Sequence, residues 1–253
     1  MQLKDKVTVI VGAATGIGEA AARLFSQEGS KIVVADRNIE KGERLSEAIN
    51  ECGGESIFVA ADVTSVDDLS EMVKSAKSTY GKIDVFWHNA GITNLRNIEE
   101  IEESDYDQVM AVNLKAAVFG TKLAVPHLKE SGGGSVIFTS SVSGIRPSPL
   151  GSISYSVSKA GLIMLTRNLA VYLGKYNIRV NSIAPWGVWT DMTEASLRIG
   201  NYESNKKNFL SKMPLGQFLS VDDIAKAGLF LASQQASNIT GVCLPVDGGL
   251  ATI

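Results

Sequence analysis

Histidine and cysteine are scarce in this chain of 253 residues, and each scarcity closes a class of function. The two histidines, His88 and His127, are too few for a histidine-rich metal site or a metalloprotease motif. The two cysteines, Cys52 and Cys243, lie far apart and show no metal-ligand spacing. Two thiols in a chain this long point to a reducing compartment rather than a disulfide scaffold. Positive charge is not in excess: the formal net charge is −3, and no Lys/Arg run forms a basic stripe. Nucleic acid is therefore not an expected partner. Met1 to Lys6 is polar and leads straight into a strand, so no signal peptide is read, and no uninterrupted apolar run is long enough to span a bilayer. The expectation is a cytoplasmic protein without a metal site or a membrane partner.

What the chain has is an alternation of short β-branched runs and helical segments. Val7 to Val11 is nearly all apolar, as a strand buried on both faces should be. Gly12-Ala-Ala-Thr15-Gly16-Ile17-Gly18 follows, then a helical stretch to Gln27, then a second strand from Lys31 that ends at Asp36-Arg37. In such a β–glycine loop–α–β unit, a helix N-terminus faces a pyrophosphate, and glycines let the backbone approach it. Asp36 closes the second strand, where a carboxylate accepts from the adenosine ribose hydroxyls and repels a 2′-phosphate, which favours NAD. Arg37 beside it is able to pair with a phosphate, and Asp36 read alone is also a common turn residue. Asp62 ends a third strand, Ser56 to Ala60. It suits the adenine amino group and equally suits a cap for the Val66–Tyr80 helix.

A fourth strand is predicted over Ile83–Trp87, followed by the small-residue turn His88-Asn89-Ala90-Gly91. One long helix is predicted over Ser104–Lys129, with Asn113 as a polar residue in its middle: either a tolerated surface position or a side chain that orders a water or a lysine. Val136 to Thr139 is a fifth strand and ends at Ser140-Ser141; a serine there is a strand-end turn residue or a donor to a substrate carbonyl. Tyr155–Leu173 reads as the next helix, Ile178–Ile183 as the sixth strand and Gly241–Val246 as the seventh. Between the last two, Pro185 to Leu219 carries Trp186, Trp189, Met192, Tyr202 and Phe209; it suits a lid, or a small helical insert packed on its own aromatics. Tyr155 and Lys159 are four apart and share one helix face. A nearby ammonium lowers a phenol's pKa toward the range where general acid/base catalysis works.

In this order, Gly12-x-x-x-Gly16-x-Gly18, Asp36, Asp62, Asn89-Ala90-Gly91, Asn113, Ser140-Ser141, Tyr155-x-x-x-Lys159 and Asp247-Gly-Gly resemble the short-chain dehydrogenase/reductase family across nearly the whole chain. The resemblance implies a single doubly wound (Rossmann) α/β domain with a seven-stranded parallel sheet. It implies that Tyr155 is the acid/base, that Lys159 lowers its pKa and binds the nicotinamide ribose, that Ser141 holds the substrate oxygen and that Asn113 supports a proton relay. Gly12, Thr15, Gly16, Ile17 and Gly18 would pack on the cofactor, with Asp36 and Arg37 at the ribose, Asp62 and Val63 at the adenine, and Asn89, Ala90 and Gly91 between. Pro185, Gly187, Val188 and Thr190 would meet the nicotinamide end. Three positions depart from the family pattern: Val11 stands where Thr is frequent, His88 replaces the first Asn of Asn-Asn-Ala-Gly, and Trp186-Gly187 follows Pro185 where Pro-Gly is usual. The implied activity is hydride transfer between NAD and a small secondary alcohol or ketone by a homotetramer or dimer. An NADPH-dependent carbonyl or 3-oxoacyl-carrier reductase, and a non-catalytic dinucleotide-sensing protein, are the alternatives.

Overall fold

The computed structural model describes the chain except Leu95, residues 148–151 and Ile253. Seven parallel strands form one sheet: β1 (Val7–Val11), β2 (Lys31–Asp36), β3 (Ser56–Ala60), β4 (Val85–His88), β5 (Gly134–Thr139), β6 (Ile178–Pro185) and β7 (Cys243–Val246). Their spatial order is β3-β2-β1-β4-β5-β6-β7. The order reverses between β1 and β4, and a crevice opens there at the strands' C-terminal ends. The strands are apolar on both faces because both faces are covered. On one side, Ile10, Val85 and Trp87 pack with Phe25 of α1 (Gly16–Gln27), Leu45 of α2 (Ile39–Glu51) and Ile224 of α9 (Val221–Ala232). On the other, Val9, Phe86 and Phe138 pack with Leu69 of α3 (Val66–Tyr80), with Ala117 and Leu128 of α5 (Ala116–Glu130) and with Leu162 of α6 (Ile153–Leu173).

The stretch predicted as one helix is three pieces: α4 (Glu103–Met110), a π-turn over Ala111–Lys115, and α5. Ala116 donates its N–H to the Ala111 carbonyl, one residue further back than in an α-helix. Over Glu103–Glu130 the whole is long and apolar enough, by length and composition, to cross a membrane; here Ala116, Ala117, Gly120, Ala124 and Leu128 are turned to the sheet. β4 begins two residues later than predicted. Its predecessor Asp84 turns inward to accept from the Val7 N–H at 3.0 Å and pairs with Lys6 and Lys82. α6 begins two residues earlier, because Ser152 caps it by accepting from the Tyr155 N–H. The long segment after β6 holds two short helices, α7 (Asp191–Leu197) and α8 (Tyr202–Ser211), so the helical-insert reading describes its structure, and residues of both helices line the crevice.

Candidate active site

The crevice is a cavity of about 910 Å³. Its floor is the glycine turn. Gly12 takes φ +78°, and a Cβ there would stand 2.6 Å from Ala90 Cα; a Cβ on Gly18 would stand 2.1 Å from the Gly12 carbonyl oxygen. These two glycines let three backbone segments touch. Gly16, at φ +58°, has only Thr190 Cγ2 near its missing Cβ, at 3.9 Å, and opens onto the cavity. α1 starts there, and Thr15 at its N-cap makes no side-chain capping bond. The helix thus presents N–H groups with no side-chain cap beside Gly16, where no Cβ stands in the way, which fits a pyrophosphate.

Asp36 sits at the cavity wall with both oxygens held: one accepts from the Ala14 N–H and the other from the Asn38 N–H, each at 2.9 Å. The carboxylate cannot swing away from whatever lies before it. Asp62 accepts from both the N–H and the hydroxyl of Thr64; these bonds, and the Arg37 guanidinium nearby, hold its carboxyl below the usual carboxylate range. A cap for the following helix is not its role, because Ser65 fills that position.

A hydrogen-bonded chain runs from β4 through the end of β5 to the glycine turn. The Trp87 indole donates to Thr139 Oγ1 at 2.9 Å, Thr139 Oγ1 donates to Asn89 Oδ1 at 2.9 Å, and Asn89 Nδ2 donates to the Gly12 carbonyl at 2.8 Å. The Thr139 carbonyl accepts from Lys159 Nζ at 2.7 Å. Thr139 was not singled out from the sequence; its place at the last position of β5, beside Ser140-Ser141, is the signal that marks it.

Tyr155 and Lys159 lie in the first two turns of α6, and both face the cavity with Ser141. Lys159 Nζ is 5.5 Å from the Tyr155 ring centroid. Burial pushes the Tyr155 phenol up, and a hydrogen bond with Ser141 draws it partly back. The sequence reading assigned that lowering to Lys159. In this geometry the ammonium is committed to the Thr139 carbonyl, and burial, with the side chain 2 % exposed, pushes it down to about 7. Ser141 also accepts from the Ser143 N–H and so holds its hydroxyl at the wall.

Asn113 does not line the cavity. It is wholly buried in the π-turn, accepts from the Ile92 N–H at 2.8 Å, and donates to the Ile92 carbonyl and Ser158 Oγ, each at 3.0 Å. It ties the loop after Gly91 to α6, one residue from Lys159. Gly187 is likewise off the cavity surface, with Met213 over it. Gly18 is used by the backbone, as above. The other predicted residues, including Ile17, Val63, Pro185 and Val188, line the cavity. Among the described residues no group of three or more His, Cys, Asp or Glu is placed to hold a metal.

Residues 12–251 match a family model described as enoyl-(acyl carrier protein) reductase. The chain is 40 % identical over 252 residues to a mitochondrial borneol dehydrogenase of Lavandula x intermedia, covering 99 % of this chain and 92 % of that one. This protein is a short-chain dehydrogenase/reductase. The short-chain dehydrogenase/reductase is also 38 % identical over 250 residues to the 3-oxoacyl-[acyl-carrier-protein] reductase FabG of Thermotoga maritima, covering 99 % of each. Among solved structures it superposes on levodione reductase with a TM-score of 0.95 at 32 % identity, covering 99 % of each chain. A 7α-hydroxysteroid dehydrogenase complexed with NADH and 7-oxo glycochenodeoxycholic acid gives 0.92 at 32 % identity, covering 98 % of this chain and 95 % of that one. The dehydrogenase/reductase assignment makes the protein an oxidoreductase of alcohol- or ketone-type substrates with a nicotinamide dinucleotide.

Proposed function

We propose that the protein moves a hydride between NAD(H) and a secondary alcohol or ketone, with Tyr155 as the general acid/base. The observation that carries this is the grouping of Tyr155, Ser141 and Lys159 on the wall of the cavity whose floor is the glycine turn. The bound dinucleotide supplies the hydride acceptor or donor. The uncapped first turn of α1 receives its phosphates, and Asp36 its adenosine ribose. Ser141 holds the substrate oxygen beside the phenol. In the oxidative direction the Tyr155 oxygen takes the hydroxyl proton; in reduction it returns one to the carbonyl oxygen. Lys159 would bind the nicotinamide ribose, and Asn113 fixes the loop and helix that frame it.

Preference for NAD is supported by Asp36, whose fixed carboxylate would face a 2′-phosphate as a like charge. Arg37 lies where it acts on Asp62. The structural neighbour that carries NADH is consistent with this, whereas the FabG relative points to a 3-oxoacyl-carrier reductase as the second reading. The Asp36→Ala variant is expected to lose NAD selectivity by about 10–100-fold, the worth of roughly 1.5–3 kcal/mol for hydrogen bonds to a charged group. Steady-state kcat/KM with NAD and NADP, for wild type and variant, measures this. A wild type that prefers NADP sinks the NAD reading.

We also propose a cytoplasmic homotetramer. Leu162, Leu165 and Leu169 of α6 are turned to the core. Ile153, Val157, Met164, Val171 and Tyr172 are large apolar or aromatic α6 residues left exposed, and the assembly reading rests on them. Light scattering on the purified chain should give four times the 26.9 kDa mass, and a monomer would refute the assembly.

A further inference from the structure

Beyond Pro185 the chain carries a feature that the acid/base chemistry does not use. Trp186 stands between Pro185 and Gly187, where Pro-Gly is the usual sequence. Gly187 takes φ +68°, and a Cβ there would stand 2.7 Å from Met213 Sδ, so the lid comes down on bare backbone. Trp186 lies flat on Phe209 of α8, with ring centroids 5.1 Å apart and planes 7° apart. Phe209 stacks in turn on Phe218 at 5.4 Å, and Phe218 meets Trp189 edge-on at 5.0 Å. Four rings therefore run from the end of β6 into the lid. Trp186, Phe209 and Phe218 form, with Leu197 and Met213, a third cluster that meets a sheet-packing core at Leu219, and the insert is seated on this stack. The Trp186 indole Nε1 is buried and meets no acceptor among the described residues. Stacking, not a hydrogen bond, fixes the ring's plane. Trp186 lines the same cavity as Tyr155 and Ser141.

We propose that Trp186 is a specificity-determining residue: its indole, held flat by Phe209, gives the substrate half of the cavity a rigid planar wall that favours ring-bearing secondary alcohols and ketones over flexible linear ones. A fixed plane meets a ring over its whole face. A linear chain has to freeze several bonds to cover the same area, and that loss offsets the contact. The inference rests on the oxidoreductase reading above and deepens it to a substrate class.

The test uses the full chain with NADH and two ketones of equal carbon number, cyclohexanone and 2-hexanone. The quantity read is the ratio of their kcat/KM values in each variant relative to wild type, which cancels the ketones' intrinsic reactivities. W186L keeps an apolar side chain but removes the plane, and its ring-to-chain ratio is expected to fall about tenfold, mainly through KM for cyclohexanone. W186F keeps a flat ring and is expected to stay within about twofold of wild type. Fluorescence titration with NADH shows that each variant is folded. If W186L fails to bind NADH, the milder F209L variant, which removes the ring that fixes the indole, carries the test with the same expected fall. A ratio unchanged in the variant that binds NADH overturns the inference while leaving the oxidoreductase reading intact. A wild type that binds NADH but reduces neither these ketones nor any of a wider panel overturns the oxidoreductase reading, and the inference with it.

Discussion

Tyr155→Phe is expected to lower kcat by about 10²–10⁴-fold, the usual contribution of a positioned acid/base group. The ring stays in the cavity wall, and the α1 N-terminus and Asp36 are untouched, so NADH affinity should remain within about threefold of wild type. One structural partner is lost, the hydrogen bond to Ser141. Fluorescence titration with NADH and steady-state turnover in both directions separate the two effects. Near-wild-type turnover would remove Tyr155 from the chemistry. The pH dependence has a sign fixed by burial. The phenol of the free protein is pushed above its ordinary value, so at neutral pH its deprotonated fraction is small. Alcohol oxidation, which needs the phenolate, should therefore speed up as pH rises through the alkaline range, and ketone reduction should not.

The second large effect is on stability, and it comes from His88. This side chain ends β4 with no exposed surface, and neither ring nitrogen makes a hydrogen bond of good geometry. Burial, reinforced by the Lys159 charge, pushes it down to about 3, with the Val112 carbonyl acting weakly the other way. In the unfolded chain it binds a proton below about 6.5. Between those values the unfolded state holds more protons, so stability is full above pH 6.5 and is lost as pH falls toward 3. At about 1.4 kcal/mol per pH unit the loss is roughly 2 kcal/mol at pH 5 and approaches about 5 kcal/mol near pH 3. Urea unfolding of wild type and His88→Asn at pH 8 and pH 5 measures it. Acid effects common to both cancel, and the wild type should lose about 2 kcal/mol more than the variant. Parallel losses would mean that the imidazole is not held neutral. Lys159 behaves in the same sense at higher pH: pushed from 10.5 to about 7, it too costs the folded state as pH falls across that window.

The seven strands along the chain, the glycine turn and the Tyr155–Lys159 pair were all legible in the sequence, because each depends on a local pattern: β-branched runs, glycine spacing, a four-residue interval. The π-turn was not. It carries bonds from Asn113 to Ile92 and Ser158, which are 21 and 45 residues away and invisible to a local pattern. The tuning of the active-site pair was likewise out of reach. A four-residue spacing predicts proximity, but whether Lys159 spends its charge on Tyr155 or on the Thr139 carbonyl depends on how β5 meets α6. The packing of the helical insert on Trp186 and Gly187 shows in the sequence only as a departure from a pattern.

Thr139 has one consequence for how this protein can change over evolutionary time. Its hydroxyl belongs to the chain that reaches Gly12, and its carbonyl belongs to Lys159. The glycine turn proposed to grip the cofactor and the lysine proposed to serve the acid/base therefore share a single hinge pin, and a lineage that alters the residue's backbone position to retune either one inherits a change in both.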